Sequence, residues 1–93
     1  MSTPTLSNNA GGQRYEIAVD GKVAGFAEYT RAGGATTFTH TLIQPGYEGQ
    51  GLASKLARFA LDDVRSQGGR AVAQCEFIAG YIGKHPEYQD LLG

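Results

Sequence analysis

Apolar and polar residues alternate along much of the first half of the chain, which is the period of a β-strand with one buried face. The alternation covers Arg14–Val19, Lys22–Arg31 and Ala35–Ile43, so three strands are predicted there. Asp20-Gly21 separates the first two strands, and both turn positions suit the positive φ angles of a two-residue hairpin. Gly33-Gly34 makes the next turn. The pattern predicts an antiparallel meander of three strands.

The period changes to that of a helix after the third strand. From Gln50 to Val64, apolar residues recur at helical spacing, and Gly68-Gly69 ends this helix. Ala71–Cys75 is short and apolar enough for a buried strand, and Phe77–Lys84 predicts a second helix that ends or kinks at Pro86. A right-handed crossover would set the last strand parallel to the third. The predicted fold class is α+β, a small mixed β-sheet (antiparallel three-strand meander plus one parallel strand) with two main helices.

Length and composition fit one small domain. The chain has 93 residues, a net charge of −1 and one cysteine. Residues 1–12 are rich in Ser, Thr, Asn and Gly, which predicts a flexible leader before a domain over residues 13–93. The near-neutral charge argues against a nucleic-acid partner, and no apolar run is long enough for a membrane span. We expect a cytoplasmic protein, since there is no secretion signal and Cys75 cannot form an internal disulfide. The core must be small, and either a homodimer or a bound ligand would add to it.

The segment Gln44–Ala53 combines a glycine-rich turn with the start of the first helix. Gly49 and Gly51 let the backbone curl tightly and let a ligand approach without meeting a Cβ atom. Several main-chain N–H groups and one hydroxyl would then face an anion, which favours a cofactor with a diphosphate. The N–H groups belong to Gln50, Gly51, Leu52 and Ala53, and the hydroxyl to Ser54. A plain loop before a helix explains the same glycines. A Walker A loop and a dinucleotide fingerprint do not fit the spacing.

The same segment carries a family resemblance. Pro45–Leu56 resembles the acyl-CoA-binding signature of the GNAT (GCN5-related N-acetyltransferase) superfamily, in which a Gln/Arg-x-x-Gly-x-Gly/Ala turn holds the CoA diphosphate with main-chain amides. The chain departs from this signature at Gly46, where the family has Gln or Arg. The resemblance implies a mixed sheet with helices on its faces and CoA in a cleft where the third and fourth strands splay apart. The main chain near Ile43 would pair with the pantetheine arm.

Residues outside the turn resemble a narrower group, the minimal GNAT-like domains of about this length. The shared features are His40-Thr41 ahead of the turn, Cys75 at the end of the last strand, and the closing Tyr-x-x-x-His-Pro-Glu-Tyr of Tyr81–Tyr88. Many members have a proline beside the cysteine, where this chain has Gln74 and Glu76. The resemblance covers essentially the whole predicted domain.

Three residues are candidates for the chemistry of acyl transfer. The resemblance implies that Cys75 lies where the thioester arrives, either accepting or positioning the acyl group, and that Tyr81 donates a proton to the departing CoA sulfur. His40 is the best side-chain base by intrinsic pKa. Each has a structural alternative: a buried thiol, a core aromatic ring and a structural strand histidine. His85 fits a helix-end residue, and no metal site is predicted.

The sequence therefore predicts an acetyl-CoA-dependent N-acetyltransferase that acts on an amine of a small molecule or a protein. Acetyl-CoA would be the co-substrate, and the acceptor is undefined. The alternative is a non-catalytic module for binding CoA or another protein. The short chain favours that alternative, because larger members of the superfamily use additional N-terminal elements to wall the acceptor site.

Overall fold

The computed structural model describes residues 3–92 and contains a five-stranded sheet. The sheet order follows the chain, and every neighbouring pair is antiparallel except the last, which is parallel. The strands are β1 (Thr5–Asn9), β2 (Arg14–Val19), β3 (Lys22–Ala32), β4 (Ala35–Ile43) and β5 (Arg70–Ala73). The helices are α1 (Leu52–Ser66) and α2 (Glu76–Lys84), with short 3-10 segments at Ala10–Gly12 and Pro86–Leu92. The predicted mixed sheet with two main helices is confirmed.

The structure has a strand inside the segment that the sequence predicts as a flexible leader. Thr5–Asn9 forms an antiparallel ladder with β2 along its whole length, and Leu6 packs against the core. The prediction is wrong for these residues, because an edge strand depends on backbone hydrogen bonds that polar residues make as well as apolar ones. Met1 and Ser2 of the predicted leader, and Gly93 at the end of the predicted domain, lie outside the described residues.

Both predicted hairpin turns are present. Asp20 and Gly21 have φ angles of 53° and 78°, and Gly33 and Gly34 have 59° and 80°. Two successive positive values are what a two-residue turn of type I′ needs, since its twist matches that of the flanking strands. The turns set the register of β2, β3 and β4 next to each hairpin, and bulges farther along the strands shift it.

The hydrophobic core lies on one face of the sheet. Alternate residues of β2, β3 and β4 are buried there, together with the inner sides of α1, α2 and the closing 3-10 segment. The strand residues of this core include Tyr15, Ile17, Ala27, Tyr29 and Phe38. The resemblance implies helices on the faces of the sheet, whereas here both main helices share a single buried core. Along the described chain, the opposite face is open to solvent, with Thr30, His40, Leu42 and Val72 exposed.

Candidate active site

β4 and β5 separate halfway along β4. Their parallel pairing ends at Phe38 opposite Ala73. The Phe38 carbonyl then accepts from the N–H groups of both Gln74, at 3.1 Å, and Cys75, at 2.9 Å, as the chain turns into α2. β4 itself continues to Ile43, so its last residues border a gap instead of a neighbouring strand on that side. The two strands therefore splay where the family resemblance implies a cleft.

A β-bulge determines which side chains of β4 face this gap. Two consecutive residues of β3 lie opposite Phe38 and His40, so Thr39 is an extra residue in β4. An extra residue reverses the facing of the positions after it. Thr41 therefore lies on the helix face together with Phe38, and His40 lies on the open face.

His40 is thus apart from the other two candidate catalytic residues. Its ring lies 6.4 Å from the ring of Phe26, and its cross-strand neighbour is Glu28. The thickness of the sheet separates the imidazole from Cys75 and Tyr81, which belong to the core side. The structure does not bring the predicted base together with the predicted nucleophile and acid.

Three glycines shape the loop between β4 and α1. Gly46, Gly49 and Gly51 have φ angles of 93°, 81° and 73°, a left-handed conformation that favours glycine. A Cβ atom at any of them would meet no described atom within 4 Å. Gly51 is the N-cap of α1, and no side chain among residues 3–92 caps this helix end. The N–H groups of the first helical turn are therefore available to a ligand.

A cavity of about 280 Å³ lies between the end of β4 and the first turn of α1. All of the predicted binding residues except Gln50 line it. The lining residues are Ile43, Tyr47, Glu48, Gly49, Gly51, Leu52, Ala53 and Ser54, and we call this space the glycine-turn cavity. Sequence reasoning missed Tyr47 and Glu48. Glu48 supports the loop by accepting a hydrogen bond from the Gly46 N–H at 3.0 Å, and its position between two glycines was the available signal.

A second cavity of about 240 Å³ shares Ser54 with the first and extends along α2. Its lining residues are Ser54, Glu76, Phe77, Gly80, Tyr81, Lys84 and His85, and we call it the α2 cavity. It brings Tyr81, a predicted catalytic residue, to the same wall as a predicted binding residue. His85, which the sequence suggests as a helix-end residue, lines it as well.

Cys75 lies at the point where β4 and β5 separate, as the N-cap residue of α2. Its thiol donates a hydrogen bond to the hydroxyl of Thr41 at 3.2 Å, and its side chain is 8% exposed. The sulfur therefore borders the gap from the β5 side, while Thr41 borders it from β4. A nearly buried thiol at a helix N-terminus is compatible with both a nucleophile and a structural side chain.

Tyr81 is nearly buried, with 9% of the residue exposed, and it lines the α2 cavity. Burial is the main cause that raises the pKa of its hydroxyl; Arg58 opposes this shift, and Glu87 and Asp62 add to it. The phenol therefore keeps its proton at neutral pH. Its oxygen makes no hydrogen bond to another residue of the described chain, so the proton is available to a group in the cavity.

Two further features of the described residues concern metal binding and membrane spanning. Within residues 3–92, no group of three or more His, Cys, Asp or Glu side chains is arranged to hold a metal ion. None of the described helices has the length and apolar character to cross a membrane.

Comparisons with known proteins identify the family of the chain and its fold. A family model described as GCN5-related N-acetyl-transferase matches residues 14–91. Among solved structures, the fold is similar to a GCN5-like protein from Staphylococcus aureus, with a TM-score of 0.74, 22% identity, and coverage of 98% of this chain and 89% of that one. It is also similar to the ribosomal-protein-S18-alanine N-acetyltransferase from Escherichia coli, with a TM-score of 0.62, 18% identity, and coverage of 75% and 63%. No curated protein matches the chain significantly.

The chain therefore belongs to the family of GCN5-related N-acetyltransferases. The family match rests on the sequence of nearly the whole domain. At these identities, the two structural neighbours establish the shared fold alone, and the chain spans less than two thirds of the length of the Escherichia coli enzyme.

Proposed function

We propose that this protein is an acetyl-CoA-dependent N-acetyltransferase. The observation that carries the proposal is the glycine-turn cavity, which joins the uncapped first turn of α1 to the free end of β4. Backbone N–H groups at a helix N-terminus favour an anion, both by hydrogen bonding and through the helix dipole. The open space at Gly49 and Gly51 leaves room for a diphosphate close to the main chain.

With its diphosphate bound in this cavity, acetyl-CoA would extend its pantetheine arm into the gap between β4 and α2. The diphosphate would accept from the N–H groups of Leu52 and Ala53, with the Ser54 hydroxyl as a further donor. The pantetheine amides would pair with the unpaired edge of β4 near Ile43, in the manner of an added strand. This course directs the thioester toward the region of Cys75 and Tyr81.

In direct transfer, the nitrogen of a neutral amine attacks the thioester carbonyl carbon. The new C–N bond forms and the C–S bond breaks, and the amine loses its extra proton to water. Tyr81 gives its phenolic proton to the departing sulfur and later regains a proton from solvent. A neutral phenol in a partly buried site suits this role. It can donate a hydrogen bond to the sulfur, and then its proton as negative charge develops there.

The acceptor amine belongs to a small molecule or to a protein. The alternative function is a CoA-binding module without catalysis. The observation that favours it is Cys75, whose nearly buried thiol is already hydrogen-bonded to Thr41.

Acetyl-CoA is expected to stabilise the protein against heat. Ligand at about 100 times its dissociation constant adds about 2.7 kcal/mol, which for a domain of this size raises Tm by more than about 10 °C. The measurement is a thermal melt with millimolar acetyl-CoA, and S-acetylpantetheine, which lacks the diphosphate, is the control that should raise Tm much less. An unchanged Tm with acetyl-CoA would contradict both the enzyme and the CoA-binding module. Release of CoA thiol in the presence of amine pools then separates these two.

Cys75 is expected to carry one acetyl group after incubation with acetyl-CoA, if the transfer has a covalent step. The thiolate would attack the thioester carbonyl, CoA would leave as the thiol, and an amine would then displace the cysteine. Intact-protein mass spectrometry measures the adduct, and Cys75→Ser, which keeps a hydroxyl beside Thr41, should not form the thioester. An unmodified wild-type protein that still turns over acetyl-CoA would leave direct transfer as the route.

A further inference from the structure

The rings of Tyr81 and His85 form a close parallel stack in the α2 cavity. Their centroids are 3.9 Å apart and their planes differ by 14°. Nδ1 of His85 also lies 2.8 Å from the main-chain oxygen of Tyr81. Because a carbonyl oxygen only accepts, Nδ1 carries a hydrogen and donates it. The imidazole is therefore fixed both in orientation and in tautomer, with Nε2 left free of this bond.

The local sequence explains how the imidazole reaches this position. His85 is the C-cap of α2 and has φ −129° and ψ 82°, outside the helical region that a following proline disfavours. Its backbone has left the helix, so its side chain can fold back over the last turn. There it meets residue 81, four positions earlier, whose carbonyl has lost its helical partner. Pro86 thus sets the geometry that places one ring on the other.

The ring of Tyr81 also packs in the buried core. Its hydroxyl bonds to no other described residue, and the ring of Tyr88 lies 6.0 Å away in a tilted arrangement. Tyr88 is itself held to α1, since its hydroxyl donates to Asp62 at 2.7 Å. The stacked imidazole is therefore the closest aromatic contact of Tyr81. The stack involves only the ring, and the phenolic oxygen, toward the cavity, makes no hydrogen bond to another described residue.

We propose that His85 is a positioning residue that holds the phenol ring of Tyr81 in the orientation needed to protonate the leaving sulfur. The proposal rests on the proposed acetyltransferase function, in which Tyr81 is the proton donor. His85 acts through Tyr81 and does not itself touch the reacting atoms. The stack defines the plane of the Tyr81 ring, and the Nδ1–H bond to the Tyr81 carbonyl caps α2 beside it.

Two substitutions remove the ring of His85 and its hydrogen bond one at a time. His85→Phe keeps an aromatic ring for the stack and removes the Nδ1–H donor. His85→Asn keeps a donor near the Nδ1 position, which preserves the cap of α2, and removes the ring. His40→Asn, on the opposite face of the sheet, is the matched control. Tyrosine labelled with ¹³C at the ζ carbon reports on the phenol, and Tyr81→Phe assigns its signal.

In the free protein, we expect the wild-type Tyr81 signal to titrate above the usual range of a tyrosine. His85→Asn should bring the midpoint closer to that range, by up to about one pH unit, whereas His85→Phe and His40→Asn should leave it near the wild-type value. Groups that also influence this titration are Arg58, Asp62 and Glu87, and all of the variants retain them. The same midpoint in His85→Asn as in wild type would overturn the proposal. A change in His85→Phe as large as that in His85→Asn, or larger, would show that the stacked ring does not set the midpoint, and would overturn the proposal too.

Addition of acetyl-CoA tests the link to the reaction. The Tyr81 signal should shift on binding in wild type and in His85→Phe, and this response should be lost in His85→Asn while calorimetry shows unchanged affinity. If acetyl-CoA binds to wild type without moving the Tyr81 signal, the positioning role fails and the CoA site stands. If acetyl-CoA does not bind at all, the proposed function fails, and the titration of the free protein still decides whether His85 orients the ring.

Discussion

Tyr81→Phe is expected to lower kcat about 100-fold and to leave KM for acetyl-CoA nearly unchanged. General acid catalysis contributes at least about this factor, and phenylalanine removes only the hydroxyl. Because that hydroxyl bonds to no described residue, its loss leaves no protein group without a partner, and the ring still fills its place beside His85. The loss should therefore appear in the chemical step and not in binding. The measurement is CoA thiol release under saturating acetyl-CoA with the acceptor that the amine screen identifies.

Tyr88→Phe is the matched control for this experiment. The ring of Tyr88 belongs to the same core, but its hydroxyl is bonded to Asp62, and burial together with this carboxylate raises its pKa to about 12. Removing the hydroxyl should cost about 1 kcal/mol of stability and leave kcat unchanged. Equal turnover in wild type and Tyr81→Phe would show that the phenol is not the proton donor. Equal losses in both variants would point to a general effect on packing.

Gly51→Ala is expected to weaken acetyl-CoA binding about 100-fold. The added methyl group enters space that borders the glycine-turn cavity, and the φ angle of 73° resists any side chain. Displacing a phosphate from the helix N-terminus removes one or two charge-assisted hydrogen bonds, each contributing about 1.5 to 3 kcal/mol. Isothermal titration calorimetry with acetyl-CoA measures the change.

Gly68→Ala separates the effect on binding from the effect on the backbone. Gly68 has a φ angle of 70°, and a Cβ there would also meet no described atom within 4 Å, but the residue lies beyond the far end of α1. Both substitutions should cost about 1 to 2 kcal/mol of stability through the left-handed conformation. Only Gly51→Ala should lose affinity. Unchanged affinity in Gly51→Ala would contradict the placement of the diphosphate. A loss of affinity in both variants would show that reduced stability is the cause.

Much of the fold was predictable because it depends on local signals. Two dipeptides with positive φ angles specified the hairpins, and a helical period between glycines specified α1. Most of the predicted binding residues line one cavity for the same reason: Gly49 to Ser54 are consecutive, and all of them except Gln50 lie in its wall. Ile43 joins them because β4 leads directly into that turn.

The arrangement of the catalytic candidates was less predictable. A simple alternation along β4 gives no sign of Thr39 as an extra residue, since a bulge is defined by pairing with β3. That one residue turns His40 away from Cys75 and places Thr41 against the thiol. The stack of His85 on Tyr81 likewise depends on how the chain leaves α2 before Pro86. The period of hydrophobic residues in the sequence does not predict that direction.

The sequence by itself determined the family, the order of most elements and the glycine-rich helix start, because turn residues and hydrophobic periods act over a few neighbouring positions. Only the tertiary structure decided that Thr5–Asn9 is an edge strand, that the helices share one face of the sheet, and that Tyr81 and His85 form a pair apart from His40. These features depend on hydrogen bonds and contacts between segments distant in the chain or on backbone direction at a helix end, and the identity of the residues involved does not specify them.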